Sequence, residues 1–163
     1  MKSAKITDDR TIWVRKMFQR NLKDGTTFDN LMKDLVITNT ADGKISAEML
    51  IQEHHLNRRQ LIHGGMLALM TDVCGMLAVY SKGMHNPGSS TDINISYLSS
   101  VGNGDTLLMD AECIKLGKNL AFTIVEIRNK ADRKVVAQGR HTLFVANAHN
   151  DPENLFKIVH AKM

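Results

Sequence analysis

The chain has 163 residues and a formal net charge of +4, and hydrophobic residues make up 43% of it. This balance is typical of a globular domain and argues against intrinsic disorder. No run of five or six basic residues occurs and Trp13 is the only tryptophan, so no nucleic-acid partner is expected. The longest apolar stretch, Met66 to Tyr80, is broken by Asp72 and is too short to span a membrane.

The length suits one domain over residues 1–163. The expected parts are a core at about 35–145, a helical extension at 1–34 and a tail at 146–163. Cys74 and Cys113 lack the spacing of a zinc site or a disulfide framework, so we expect no metal. The N-terminus lacks a secretory signal, which predicts a cytoplasmic protein. A basic amphipathic stretch there leaves a mitochondrial location open, although Asp8 and Asp9 are unusual in a presequence.

Short elements are predicted in the first sixty residues. They are a helix from Thr7 to about Leu22, a helix from Phe28 to Lys33, and strands from Leu35 to Asn39 and from Lys44 to Ile51. The two strands flank Ala41-Asp42-Gly43, a typical hairpin turn. A polar loop is expected from Gln52 to Gln60.

The most apolar stretch, Gly64 to Ser81, predicts a buried helix. Period-two patterns then predict four strands, at Ser89 to Leu98, Thr106 to Leu116, Leu120 to Asn129 and Val135 to Val145. Short polar connections predict that consecutive strands are antiparallel neighbours. A further helix is indicated near Asp151-Pro152. One long buried helix against an antiparallel sheet is an α+β fold.

Asp72 is the only charged residue between Gly64 and Ser81. At 100° per residue it shares a helix face with Gly65, Ala68, Leu69, Gly75 and Val79. A carboxylate on such a face is costly unless it is paired or used. The pattern leaves two interpretations open, a catalytic carboxylate and a structural one that reaches a partner.

The start of the same helix is a candidate anion site. Free N–H groups at a helix start stabilise a developing oxyanion, and the glycines of His63-Gly64-Gly65 let a ligand approach closely. Asn57, in the preceding loop, has an amide that can donate to a carbonyl. An ordinary turn explains these residues equally well.

Gly64 and Asp72 are eight residues apart, which is roughly 12 Å along one helix. An oxyanion donor and a base for one carbonyl must both lie near 3 Å from reacting atoms. One helix therefore cannot supply both groups to the same carbonyl. If both are catalytic, two subunits must share the site, and the motif implies a dimer.

Several motifs carry a resemblance to a known family. They are Asn57 six residues before His63-Gly64-Gly65, Asp72 nine residues after His63, the run from Pro87 to Tyr97, the run from Gly117 to Thr123, and the run from Ala137 to Thr142. In this order and spacing they resemble the hotdog-fold acyl-CoA thioesterases, closest to the thioesterase superfamily member 2 group. The similarity extends from about Val36 to Phe144.

The resemblance implies a hotdog fold, with an antiparallel sheet around one long central helix and an extra N-terminal helix. It implies hydrolysis of medium- to long-chain fatty acyl-CoA by a homodimer or homotetramer, without a cofactor. Asp72 would be the general base or nucleophile, and Ser90 would help to place the attacking water. Asn57 and the Gly64 N–H would polarise the thioester carbonyl, with His63 nearby.

The resemblance also implies two segments that hold the CoA moiety. Their residues are Tyr97, Leu98, Ser99 and Ser100 in the first, and Lys115, Leu116, Gly117, Lys118, Asn119 and Leu120 in the second. Two positions depart from the family pattern. A lysine usual in close relatives is Gly102 here, and a histidine near the end of the last strand is Phe144. The phosphate contacts are therefore expected to differ.

Two other functions also involve an acyl-CoA ligand. An acyl-CoA hydratase or dehydratase needs a histidine paired with an acid, which His63 and Asp72 cannot form on one helix. A non-catalytic acyl-CoA-binding protein needs no base, so the combination of Asn57, Gly64, Asp72 and Ser90 argues against it.

Overall fold

The computed structural model describes residues 2–22 and 25–156, with side chains from Asp9 onwards in those ranges. The helices and strands of this part of the chain are α1 (Lys2–Asn21), β1 (Val36–Ala41), β2 (Lys44–Leu50), α2 (Gly64–Tyr80), β3 (Ser89–Tyr97), β4 (Thr106–Leu116), β5 (Leu120–Asn129) and β6 (Val135–Phe144). Short 3-10 helices span Phe28–Met32 and Glu53–His55. No helix in the described ranges is long and apolar enough to cross a membrane.

The strands form one sheet in the order β1-β2-β4-β5-β6-β3, with every neighbouring pair antiparallel. The apolar helix α2 packs against one face of this sheet and is buried along most of its length. Alternate residues of β4, β5 and β6 are buried beneath it, as the period of two requires. The predicted α+β arrangement, with a central helix and an extra N-terminal helix, is confirmed.

Three details of the prediction are wrong. Helix α1 begins at Lys2 rather than at Thr7. Strand β3 pairs with β6 and not with β4, because the connection after β3 runs across the end of the sheet, where Ile62 N–H donates to Val101 O. The helix expected near Asp151-Pro152 is absent as far as Phe156, where the chain makes turns instead, and residues beyond it lie outside the described part.

Gly75 lets α2 approach the sheet closely. A Cβ atom added there would lie 2.6 Å from Thr123 Oγ1 and 2.9 Å from His141 Nδ1, closer than real side chains allow. Because an L side chain would push the helix outward, this glycine fixes the distance between α2 and strands β5 and β6. The same close approach fixes the position of Asp72, one turn earlier in α2.

Helix α1 is tied to distant parts of the fold by Arg10. The guanidinium forms an ion pair with Asp42 at 3.0 Å, in the turn between β1 and β2, and donates to the carbonyl oxygen of Ser81 after α2. Val14 and Met17 are buried in the same core as the sheet. The helical extension therefore packs as part of one core with the strands.

Candidate active site

Three polar side chains meet where α2 faces strands β3 and β6. Asp72 Oδ1 is 3.4 Å from Ser90 Oγ and 3.4 Å from His141 Nε2. Ser90 Oγ and His141 Nε2 are 2.9 Å apart. The carboxylate is 38% exposed and Ser90 is exposed, whereas the imidazole is fully buried, so Asp72 and Ser90 are the two members that solvent or substrate can reach. The structure thus brings together two predicted site residues, Asp72 and Ser90, with a third residue that was not predicted.

Sequence reasoning missed His141, although a signal was present. In β6 the inward positions are otherwise apolar or glycine, at Ala137, Gly139 and Leu143. A histidine at the next inward position places an imidazole against the helix, where a polar group needs a partner. Because Asp72 is the only charged residue of α2, it was the available partner.

The protonation state of His141 follows from its surroundings. Burial lowers the pKa of His141, and the negative charge of Asp72 only partly opposes this effect. The ring is therefore neutral and carries one proton. Its Nδ1 atom is buried without a hydrogen-bond partner in the described residues. An unpaired buried acceptor is better tolerated than an unpaired N–H, so the proton belongs on Nε2.

With that tautomer, the three side chains form a directed chain of hydrogen bonds. His141 Nε2–H donates to Ser90 Oγ, and the Ser90 hydroxyl donates to Asp72. The chain of hydrogen bonds keeps Asp72 in one position. Its other oxygen has no hydrogen bond to any of the described residues and can interact with a ligand.

A second carboxylate lies near Asp72. Burial, and after it the negative charge of Asp72, raises the pKa of Asp29. Asp29 belongs to the 3-10 helix Phe28–Met32, which packs against α2. Nothing in the sequence pattern indicated this proximity, because a 3-10 helix has no hydrophobic period that would orient its polar residues toward a distant element.

The start of α2 leaves one N–H group available. His63 is the N-cap residue, and its Nδ1 accepts a hydrogen bond from Gly65 N–H at 2.8 Å. The N–H of Gly64 has no partner within the described ranges. His63 therefore holds the first turn while the Gly64 N–H remains free to bind an anion.

Asn57 lies in the loop before this helix, and its amide is oriented by backbone contacts. Its Oδ1 accepts hydrogen bonds from Arg59 N–H at 2.8 Å and Leu61 N–H at 3.4 Å. Among the described residues, its Nδ2 makes a single long contact of 3.5 Å, with Ile62 O. The hydrogen bonds to Oδ1 thus fix the orientation of the Asn57 amide, and its NH2 group is only weakly hydrogen-bonded.

The structure therefore contains two half-sites. One half-site contains Asp72 and Ser90, and the other contains Asn57, His63 and Gly64. They are separated along α2 by eight residues, roughly 12 Å. Within one chain they cannot act on the same carbonyl carbon.

Comparison with known proteins identifies the family. The thioesterase superfamily model matches residues 60–136. Human acyl-coenzyme A thioesterase 13 is 37% identical over 74% of this chain and 86% of its own length. The chain belongs to the thioesterase superfamily. The predicted family and the predicted class of enzyme, a thioester hydrolase, are confirmed.

Solved structures of the superfamily share the fold. Zebra fish thioesterase superfamily member 2 matches with a TM-score of 0.75 and 36% identity, over 80% of this chain and 94% of that chain. A Streptococcus pneumoniae hypothetical thioesterase protein, solved with coenzyme A, matches with a TM-score of 0.65 and 26% identity, over 69% and 85% of the two chains. The hotdog fold is confirmed.

The two segments predicted to hold CoA lie at opposite ends of this hotdog sheet. Tyr97 pairs with Ala137 at one end of β6, whereas Leu120 and Ser89 pair with Phe144 at the other end. Nine residues of β3 separate these ends, about 26 Å at 3.3 Å per residue step.

The side chains of the two segments differ in exposure. Leu98, Ser99, Ser100, Lys115, Lys118 and Asn119 are exposed, as is Tyr97. Leu116 is buried, so a contact there would come from its backbone. Gly117 and Leu120 are intermediate. The two predicted segments therefore do not form one continuous surface within this chain.

Proposed function

We propose that this protein hydrolyses acyl-CoA thioesters to a free acid and CoA. The observation that carries the proposal is the pairing of a partly exposed Asp72, held by Ser90 and His141, with a helix start whose Gly64 N–H has no partner among the described residues. These are a base and an oxyanion donor, the two groups that thioester hydrolysis needs. Human acyl-coenzyme A thioesterase 13, at 37% identity, supports the same substrate class.

In the proposed mechanism, Gly64 N–H and the Asn57 amide donate to the thioester carbonyl oxygen and stabilise its negative charge in the tetrahedral intermediate. Asp72 removes a proton from a water molecule that Ser90 helps to place, and the water oxygen attacks the carbonyl carbon. The C–S bond then breaks, and the proton held by Asp72 passes to the departing thiolate. No metal or redox cofactor takes part. Direct attack by the carboxylate is the alternative; it would expel the thiolate and form a mixed anhydride between Asp72 and the acyl group, which water then hydrolyses. Single turnover in heavy-oxygen water would label Asp72 if that water attacks the Asp72 carbonyl carbon.

The proposed assembly is a dimer that joins unlike half-sites of two subunits. Strand β3 supports it, because it is an edge strand of nine residues whose side chains are exposed on both faces, apart from the partly buried Ile95. An unpaired edge of this length is a template for pairing with another strand. Antiparallel pairing of two β3 strands would bring the Ser90 end of one subunit to the Tyr97 end of the other.

A tetramer made of two such dimers is also proposed. Apolar side chains are exposed on the sheet face opposite α2, at Ile114, Phe122, Ile124 and Phe144. A groove of about 680 Å³ crosses the same face and includes Ile124 and Arg140 in its lining. Covering this apolar area with a second dimer would remove it from water.

The proposed acyl group is a medium- to long-chain fatty acyl chain. Two exposed apolar side chains that neighbour residues interacting with Asp72 support this. Phe28, which precedes Asp29, is 68% exposed, and Ile93 is exposed beside its strand partner His141. An apolar wall next to the reacting group favours a hydrocarbon chain over a polar acyl group.

The His141–Asp72 contact supplies the pair of a histidine and an acid that an acyl-CoA hydratase needs, and the sequence did not reveal this pair. Such an enzyme needs an imidazole that reaches the substrate to transfer a proton. The His141 ring is fully buried behind Ser90 and is held neutral by burial. The position of the ring therefore favours hydrolysis over hydration.

A thiol-release assay across acyl-CoA chain lengths tests the proposed function. We expect hydrolysis with the highest kcat/KM for medium- to long-chain substrates. Hydration of an enoyl-CoA without thiol release would support the hydratase instead. Binding of acyl-CoA without either reaction would show a non-catalytic binding protein.

A further inference from the structure

Two adjacent arginines, Arg58 and Arg59, stand in the loop that leads to the start of α2. Both are exposed. Neither guanidinium has an ion pair or hydrogen bond to any of the described residues. In contrast, Arg10 and Arg15 each hold parts of the fold together through hydrogen bonds. The two loop arginines therefore have donor capacity that the fold does not use.

The loop that carries them is held rigidly. Asn57 N–H donates to Leu61 O at 2.8 Å, and Gln60 N–H donates to Asn57 O at 2.9 Å. The N–H of Arg59 donates to the Asn57 side chain, and Gln60 is in the left-handed region with φ of 60°. The arginine backbones are thus fixed relative to Asn57, so a ligand bound by their side chains is also positioned against that amide.

The same loop borders the segment after β3. Ile62 N–H donates to Val101 O at 2.9 Å. The carbonyl oxygen of Gln60 is 3.5 Å from where a Cβ of Gly102 would be. The ring of Tyr97 lies beside Gly64, 3.6 Å from the position of an added Cβ. A ligand that reaches the Gly64 N–H along this segment must therefore pass beside the arginine loop.

We propose that Arg58 and Arg59 bind phosphate groups of the CoA thioester; this inference rests on the proposed function. A guanidinium presents a planar fork of donors that matches two oxygens of one phosphate, and its charge persists at every working pH. The pantetheine arm leaves the phosphates outside the reacting pocket, at its rim, where both side chains are exposed. In the proposed dimer they face the phosphates from one subunit, opposite Lys118 of the partner subunit.

The test is the R58Q/R59Q double variant, measured with an acyl-CoA and with the same acyl group on N-acetylcysteamine, which has no phosphate. We expect KM for acyl-CoA to rise about tenfold, because each of two exposed charge-assisted contacts contributes a few-fold. The ratio of kcat/KM for acyl-CoA to that for the short thioester should fall by the same factor. The control K16Q removes an exposed charge on α1 and should leave this ratio unchanged.

Two further measurements distinguish phosphate binding by the arginines from the proposed hydrolysis. Calorimetric titration with free CoA should show weaker binding to R58Q/R59Q than to the parent, and R58K/R59K should recover only part of it, because lysine lacks the fork. If the parent binds CoA through the arginines but releases no thiol, the proposed function fails while this inference stands. An unchanged KM and CoA affinity, or equal damage to both thioesters, would overturn it.

Discussion

The Ser90 hydroxyl lies 2.9 Å from Nε2 of the buried His141, and this contact joins β3 to β6 directly behind Asp72. Through this contact, the edge strand β3 helps to hold the Asp72 carboxylate in place. Because β3 is exposed on both faces, its position at Ser90 depends on β6 and on whatever pairs with its free edge. The position of the Asp72 carboxylate is thereby coupled to strand pairing at the free edge of β3.

We expect Asp72→Asn to keep the fold but to lower kcat by about two to four decades, as for loss of a general base or nucleophile. The amide is nearly isosteric with the carboxylate and can still accept the Ser90 hydroxyl hydrogen. Circular dichroism and a thiol-release assay on the same sample provide the measurement. Near-parental turnover in a folded sample would remove Asp72 from the mechanism.

His141 should make stability depend on pH. Its pKa in the folded protein is lowered by burial from the ordinary value of 6.5. Below about pH 6.5 the unfolded chain takes up a proton that the folded ring does not, so the free energy of unfolding falls as the pH falls. The measurement is the midpoint of urea unfolding between pH 7.5 and 5.5, a range of about two units around the reference pKa.

In His141→Gln that pH slope should be shallower than in the parent. It should not vanish, because burial also lowers the pKa of His55. The double variant His55→Gln/His141→Gln removes both buried rings and should flatten the slope further. An identical slope in His141→Gln would mean that the buried ring is protonated in the folded state.

Two inactive variants should complement each other if the site is shared. Asn57→Ala removes one half-site and Asp72→Ala removes the other. A mixed dimer would contain one intact site and one doubly damaged site. After subunit exchange, confirmed by mass spectrometry, we expect part of the parental activity to return. Exchange without recovery, or an active monomer by light scattering, would contradict the shared site.

Lys118→Ala should raise KM for acyl-CoA several-fold with little change in kcat, the signature of lost uniform binding. Lys118 is exposed in the turn between β4 and β5, so its contact with a phosphate would be screened by salt. Raising the ionic strength should reduce the difference from the parent. Equal damage to a thioester without a nucleotide would show that the lysine supports the turn.

Gly139→Ala should destabilise the fold by about 1–3 kcal/mol, because the added Cβ overpacks a closed core. That atom would lie 2.8 Å from Thr71 Oγ1. Thr71 is fully buried and donates to Leu67 O, so it cannot rotate away. Adding Thr71→Ala should recover part of the loss, which a double-mutant cycle would measure. Gly102→Ala, where a Cβ has ordinary contacts, should be nearly neutral.

Most of the fold could be predicted because the spacing of apolar residues along the sequence has a clear period in each element. The apolar run at Gly64–Tyr80 and the alternating strands β4, β5 and β6 each bury one side, so pattern and structure agree. The partner of β3 could not be derived that way. Its side chains are exposed on both faces of a single chain, so alternation gives no information about its neighbours.

The candidate site could be predicted only where local chemistry was unusual. A lone carboxylate in an apolar helix singled out Asp72, and a Gly-Gly helix start singled out Gly64. His141 lies 3.4 Å from Asp72, and the charge of Asp72 acts on Asp29 in a 3-10 helix. Both relationships depend on packing between elements far apart in the chain. The catalytic roles of Asp72, Gly64, Asn57, Ser90 and His63 stay predictions, as do those of the segments expected to hold CoA.

The contacts of Arg10 determine when helix α1 can pack during synthesis of the chain. Helix α1 precedes its ion-pair partner Asp42 and its carbonyl partner Ser81 in the chain, so it leaves the ribosome before either of them. A helix whose apolar face has no surface to cover is marginal in water, so α1 cannot settle until α2 has been translated. Helix α1 is thus made before α2 but packs only after it, and in that interval a chaperone that binds nascent chains could bind its apolar face.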